Sequence, residues 1–189
     1  MAVPETYTTL DFSGAFTLNR ELSGDTLKIL ELQGLPEDKR AMVNSGVVGV
    51  TIKQSKNEVG VEQFDVVQTF AGRSQEEART LDWADRKQDS IFGPFSMKSR
   101  RAKLSELGTS GDPDAKCAFL ADGWTADTRE HGVLESYVVT APENKKQWTL
   151  VQIWGVDTVN GERRYVRRVR TTTPEGDDAQ VMMVYDRAD

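Results

Sequence analysis

The strongest constraint on this chain lies in its last forty-odd residues, where three strand-like runs are joined by two clear turns. KQWTLVQIWGVDTV leads into Asn160-Gly161, then ERRYVRRVRTTT, then Pro174-Glu175-Gly176-Asp177-Asp178, then AQVMMVYD. Asn-Gly between two runs rich in β-branched and aromatic residues marks a hairpin, because both central residues of a type I′ turn need positive φ. The second turn pairs a fixed proline φ with a permissive glycine. The chain therefore closes as a β-meander, the connectivity of up-and-down barrels. In such a barrel every second side chain points inward, so the inward faces are where a functional site is to be sought.

The chain has 189 residues, which makes one domain over 1–189 the default and leaves ample length for a core. Hydrophobic residues make up 38% and charged ones 29%, a balance that suits strands with one wet face. The net charge of −6 excludes a sequence-independent hold on nucleic-acid phosphates. The single cysteine, Cys117, leaves no intrachain disulfide. The opening MAVPETYTTLDF has neither the basic nor the apolar region of a signal peptide. No apolar run approaches the ~18 residues of a membrane helix. A soluble, cytoplasmic protein is the expectation, with no integral membrane segment. Its oligomeric state is left open.

Residues 1–9 read as a loose leader and 10–23 as a first strand. Leu27, Leu30 and Leu32 predict a helix over about 25–33, and Gly34 followed by Pro36-Glu37-Asp38 predicts a second over 36–45. This pair is the only α-structure expected. The period then changes to two. A hairpin is expected from 47–55 and 59–72, and a weaker pair from 76–87 and 92–104, with a bulge near Gly93-Pro94. Residues 105–118 are rich in turn formers and read as a long loop, with Gly72 and Gly108 as plain turn residues. The runs 123–130 and 132–142 lead into the meander, giving roughly ten antiparallel strands in all.

Three short stretches carry a resemblance. Phe12-Ser13-Gly14-Ala15-Phe16 resembles the opening Phe-x-Gly-x-Trp of the lipocalin-like (calycin) barrels and of the intracellular fatty-acid-binding proteins. The two expected helices fall where the latter place their lid. Val181 to Asp186 resembles their closing Cys-Thr-Arg-x-Tyr-Glu. In style the chain is also similar to single-domain lipocalin-like proteins of filamentous fungi, some of them associated with secondary metabolism. The resemblance implies a mainly β fold: a single up-and-down barrel with a helix-turn-helix lid after the first strand. It implies a small hydrophobic ligand in the lumen. Two departures stand out. Met183 replaces the family's carboxylate-binding arginine, keeping only Tyr185 of that pair, and the chain is longer, with its surplus mainly in 84–130. A less charged ligand than a free fatty acid is the expectation.

The candidate ligand-binding residues follow from strand faces. Val181, Met183 and Tyr185 share one face of the last run, as cavity lining or as ordinary core. Trp148, Leu150, Gln152 and Trp154 share another, either an apolar cavity wall with one orienting amide or a face with Gln152 in water beside two half-exposed tryptophans; Phe64, Val66, Gln68 and Phe70 repeat the pattern. On 162–172, Arg164, Arg168 and Arg170 alternate with Tyr165, Arg167 and Val169. Solvated pairing with acids accounts for most of these arginines, and Arg168 is singled out as the one entering the lumen. Tyr137 is a further candidate. His131, the lone histidine, offers a general base near the barrel mouth. Asp82 and Asp85 are expected to pair with neighbouring arginines. One Cys and one His give no zinc spacing, so no metal is expected, and the nucleophile-elbow and phosphate-loop motifs are absent, so no cofactor is expected either.

Two functions remain. One is a carrier or sequestering protein for a small lipid-, polyketide- or terpenoid-like molecule. The other is a cofactor-free isomerase or cyclase working inside the barrel, with His131, Tyr137 or Arg168 as catalytic candidates. A carrier predicts an apolar lumen with one polar anchor. An enzyme predicts several converging polar groups with perturbed pKa values.

Overall fold

The computed structural model describes residues 1–70, 73–90, 92–107 and 118–188. Ten strands form one antiparallel sheet: β1 Gly14–Asn19, β2 Val48–Lys56, β3 Glu62–Phe70, β4 Arg73–Thr80, β5 Arg86–Ser90, β6 Gly93–Ala102, β7 Val133–Thr140, β8 Thr149–Val159, β9 Glu162–Thr172 and β10 Asp178–Arg187. Their order is β4-β3-β2-β1-β10-β9-β8-β7-β6-β5, so every neighbour is a chain neighbour except where β1 joins β10. The closing meander forms in the expected register, with Val159 opposite Glu162 and Thr172 opposite Asp178. Asn160 and Gly161 have φ of 50° and 81°, the type I′ signature that the dipeptide predicts.

The sheet curls until its ends approach. Edge strands β4 and β5 are not paired, but Trp83 N donates to Ser99 O at 2.9 Å and Arg101 on β6 pairs with Glu62 on β3 at 3.0 Å. The expected strand 76–87 is therefore broken. Asp82 accepts a hydrogen bond from Ala84 N, grips Arg86 with both oxygens at 2.7 Å, and leaves Trp83 at φ 60°. This local turn separates β4, which pairs with β3, from β5, which pairs with β6. The proposed bulge at Gly93-Pro94 is instead the start of β6.

The lid has the expected place, as α1 Leu27–Leu32 and α2 Glu37–Ser45. Two other expectations are corrected. The first residues are not a loose leader: Val3, Tyr7 and Thr9 are buried, Val3 N donates to Arg163 O, and Tyr7 donates to Phe12 O at 3.0 Å. The lid is not the only α-structure, because α3 Ala118–Ala121 and α4 Ala126–His131 follow β6. Residues 108–117, most of the expected long loop, lie outside the described residues, as do Gly72, Gly108 and Cys117.

Three hydrophobic clusters organise the interior. At one end Phe12, Phe16, Phe64, Trp154, Tyr165 and Tyr185 close the barrel, with Tyr165 only 4.9 Å from both Phe16 and Tyr185 by ring centroid. At the lid end Ile29 and Leu32 meet Trp148, Leu150, Val169 and Val181. Outside the barrel, α3 and the link from α3 to α4 lay Leu120 and Trp124 on Val151, Ile153 and Val166. That outer cluster is why β8 is buried on both faces.

Candidate functional site

Between the aromatic floor and the lid lies a cavity of about 280 Å³, just below the lower end of the roughly 300–1,000 Å³ usual for ligand pockets. Its walls are mostly apolar: Leu18 and Val48 on one side, Phe92, Phe95 and Met97 on the other, roofed by Ile29, Leu30 and Leu35. Of the residues singled out in the sequence, Gln68, Phe70, Trp148, Gln152 and Met183 line this space. Strand parity puts them there, since β3, β8 and β10 each turn the expected face inward. Phe64, Trp154 and Tyr185 also face inward but lie deeper, packed in the floor and shut off from the main cavity.

Three candidates lie elsewhere. Arg168 faces outward, where it binds Asp157 at 2.6 Å and the Phe119 and Asp122 carbonyls and lies over the Trp124 ring at 4.3 Å. Its task is to hold α3 and α4 against β8 and β9. Tyr137 is on the outer face of β7, under the Lys98 ammonium. His131 ends α4 and is not part of the cavity wall; its buried Nδ1 has no hydrogen-bond partner among the described residues.

The inward arginine of β9 is instead Arg167, one step along the strand and directly opposite both Met183 and Trp154. Arg79 on β4 joins it, and both guanidiniums face the Trp154 ring, at 5.0 Å for Arg79 and 5.7 Å for Arg167. Glu77, also on β4, pairs with Arg79, and Gln75 Nε2 donates to Glu77 at 3.3 Å. The Arg79 charge beside it, reinforced by Arg167, holds the Glu77 carboxyl below its ordinary range although burial pushes the other way. Burial pushes the Tyr185 phenol up, with the charge and hydrogen-bonding of Arg167 opposing it. No ion pair joins Arg167 to a carboxylate among the described residues. Two guanidiniums against one carboxylate leave the floor one positive charge in surplus.

Sequence reasoning missed Arg79, Glu77 and Gln75 because RSQEEART contains only one apolar residue to betray its period. The register of β4 on β3, with Gln75 opposite Gln68 and Arg79 opposite Phe64, is what turns them inward. For Arg167 a signal existed: it alternates with Tyr165 and Val169, the apolar partners expected of an inward face.

Comparison with known proteins bears on the fold. By sequence, no protein-family model and no curated protein matches the chain. By structure, it is similar to a fatty acid binding protein of Schistosoma mansoni solved with arachidonic acid, at a TM-score of 0.58 and 10% identity, covering 94% of this chain and 96% of that one. This chain has the fold of the fatty-acid-binding-protein-like β-barrels. Lipid binding protein 8 of Caenorhabditis elegans superposes at a TM-score of 0.56 with 8% identity, over 94% and 95% of the two chains. A fatty acid-binding protein from brain tissue of Drosophila melanogaster does so at 0.54 with 12% identity, over 94% and 99%. Among the described residues no helix is long and apolar enough to cross a membrane.

Proposed function

We propose that this barrel binds a small, mostly apolar molecule in its interior and acts as a cytoplasmic carrier or sequestering protein. The observation that carries this reading is the lid-roofed cavity of about 280 Å³ with mostly apolar walls and a polar floor. Burying apolar ligand surface there is favourable at roughly 25 cal/mol per Å². The structural neighbour solved with arachidonic acid adds support from outside the chain.

In a proton-transfer form, the isomerase or cyclase alternative needs a group ready to exchange a proton. Polar groups do converge at the floor, but Arg79 favours ionised Glu77 and burial favours neutral Tyr185. Neither is set near neutrality, where general acid–base catalysis works best. That weighs against acid–base chemistry at the floor, while catalysis by conformational restriction with a donor at a developing charge would use the same residues.

Native mass spectrometry of the protein purified from its own host, read for a co-purifying small molecule, tests the proposal together with a fluorescence titration. Trp148 lines the cavity, so an apolar probe should alter its emission, and Trp148→Phe should remove most of that change. No bound molecule and no response to any apolar probe would sink the carrier reading.

A further inference from the structure

The cavity-facing side of α1 breaks its own apolar pattern at one deeply buried position. Thr26, Ile29, Leu30 and Gln33 border the cavity, at the i, i+3, i+4, i+7 spacing of one helix face. Leu27, Lys28 and Glu31 border an outer groove toward α2 instead. Gln33 N donates to Ile29 O at 3.0 Å, so the last turn is closed and the stripe reaches Gln33. Thr26 precedes the helix and is half-buried, whereas Gln33 is 8% exposed, in the roof with Ile29, Leu30 and Leu35. A polar residue where the pattern asks for an apolar one is the kind of local violation that functional positions carry.

The Gln33 amide makes no hydrogen bond among the described residues. Nor is it sealed in protein, as Gln152 Oε1 and Trp148 Nε1 are. It therefore keeps an acceptor oxygen and a donor NH₂ for what enters the space. Any ligand that fills the roof excludes water from this amide, and an alkyl group there leaves both functions unserved. A neutral partner suffices. Of the arginines bordering the cavity, Arg20 donates to the Val43 and Gly46 carbonyls, and Arg79 and Arg167 lie over the Trp154 ring at the floor.

We infer that the ligand is a neutral amphipath held head-up: a hydroxyl or carbonyl oxygen hydrogen-bonded to the Gln33 amide under the lid, with its apolar body among Leu150, Val169 and Met183. The inference rests on the cavity-binding reading above and narrows it to uncharged alcohols, ketones and molecules like them. Because the anchor sits at the end of α1, head-group recognition and lid closure are one event.

At about 30 Å³ for each water- or methylene-sized group, the cavity of about 280 Å³ suits ten-carbon probes. Decan-1-ol, 1-chlorodecane and decanoic acid, each competing with an apolar fluorescent dye for wild type and for Gln33→Met, form the test. Gln33→Met keeps side-chain length and helix propensity and removes the amide. It should weaken decan-1-ol several-fold to about tenfold and leave 1-chlorodecane unchanged or tighter. A second measurement needs wild type alone: bound decan-2-one should show the lowered infrared carbonyl stretch of a hydrogen-bonded ketone. If Gln33→Met changes alcohol and chloride alike, or neither, the inference is overturned. A ketone stretch like that in hydrocarbon also overturns it, as does decanoic acid binding tighter than the alcohol in both proteins. In each of these cases the cavity-binding reading stands. If the dye and all four compounds fail to bind wild type, that reading itself falls.

Discussion

At the residue scale, the difference between Arg167 and Arg168 is a single step of β-strand alternation. A one-residue change of parity moves a side chain from the lumen to the outer face. Both arginines stand in a run where every second residue is basic or apolar, and neighbouring residues alone do not choose between them. The partners do: Arg168 meets Asp157 and the α3–α4 carbonyls, while Arg167 meets Trp154 and the cavity. Gly155 shows the same dependence on a distant neighbour. A Cβ there would come within 2.7 Å of the Trp124 ring, so the bare backbone is what lets that indole approach β8 closely. Gly155→Ala should therefore destabilise the fold by about 1–3 kcal/mol through overpacking. A lower urea midpoint with an unchanged slope is the expected result; an unchanged midpoint would mean that α3 and α4 simply shift outward.

Elements differ in how much of themselves they announce. The Asn160-Gly161 hairpin is legible because its turn chemistry and its flanking pattern agree. The lid helices are legible for a similar reason, from Leu27 and Leu30 and from Pro36 preceding two acids. By contrast, β4 carries polar residues on both faces, and α4 spans only six residues with a single buried side chain, Thr128. Such short or polar elements are stabilised by what they pack against, and that is invisible locally. The lid also depends on a contact from outside itself: Arg20, just beyond β1, donates to the carbonyls of Val43 and Gly46 at the end of α2. Arg20→Ala should loosen that end by about 1 kcal/mol. Faster amide exchange in α2 and several-fold faster probe entry and exit, with the barrel's melting temperature little changed, would show it. Unchanged exchange would mean that the latch is redundant.

On the scale of the whole molecule, the barrel is held by segments far apart in sequence. Residues before β1 reach the far side of the structure, where Arg101 donates to Thr9 O at 2.8 Å and Arg163 to Tyr7 O at 3.0 Å. Tyr7 itself packs at 5.6–5.7 Å from Phe12 and Phe16. Tyr7→Ala should cost about 3 kcal/mol, which for a chain of this size lowers the melting temperature by roughly 6–12 °C. Leu10→Ala, at a position 55% exposed, should change it little. Equal effects at the two positions would contradict the buried role of the N-terminal segment.

The sequence by itself determined the strand-rich class, the closing meander and the lid after the first strand, and it grouped the residues that share one face on β3, β8 and β10. Those features rest on local turn chemistry and on alternation, which neighbouring residues encode. Only the tertiary structure decided that β4 turns Glu77 and Arg79 inward, that Arg167 is the lumen's cation, and that the first nine residues belong to the core. Each of these depends on pairing between strands distant in the chain, and the energy of a side chain there is set by partners that no local pattern names.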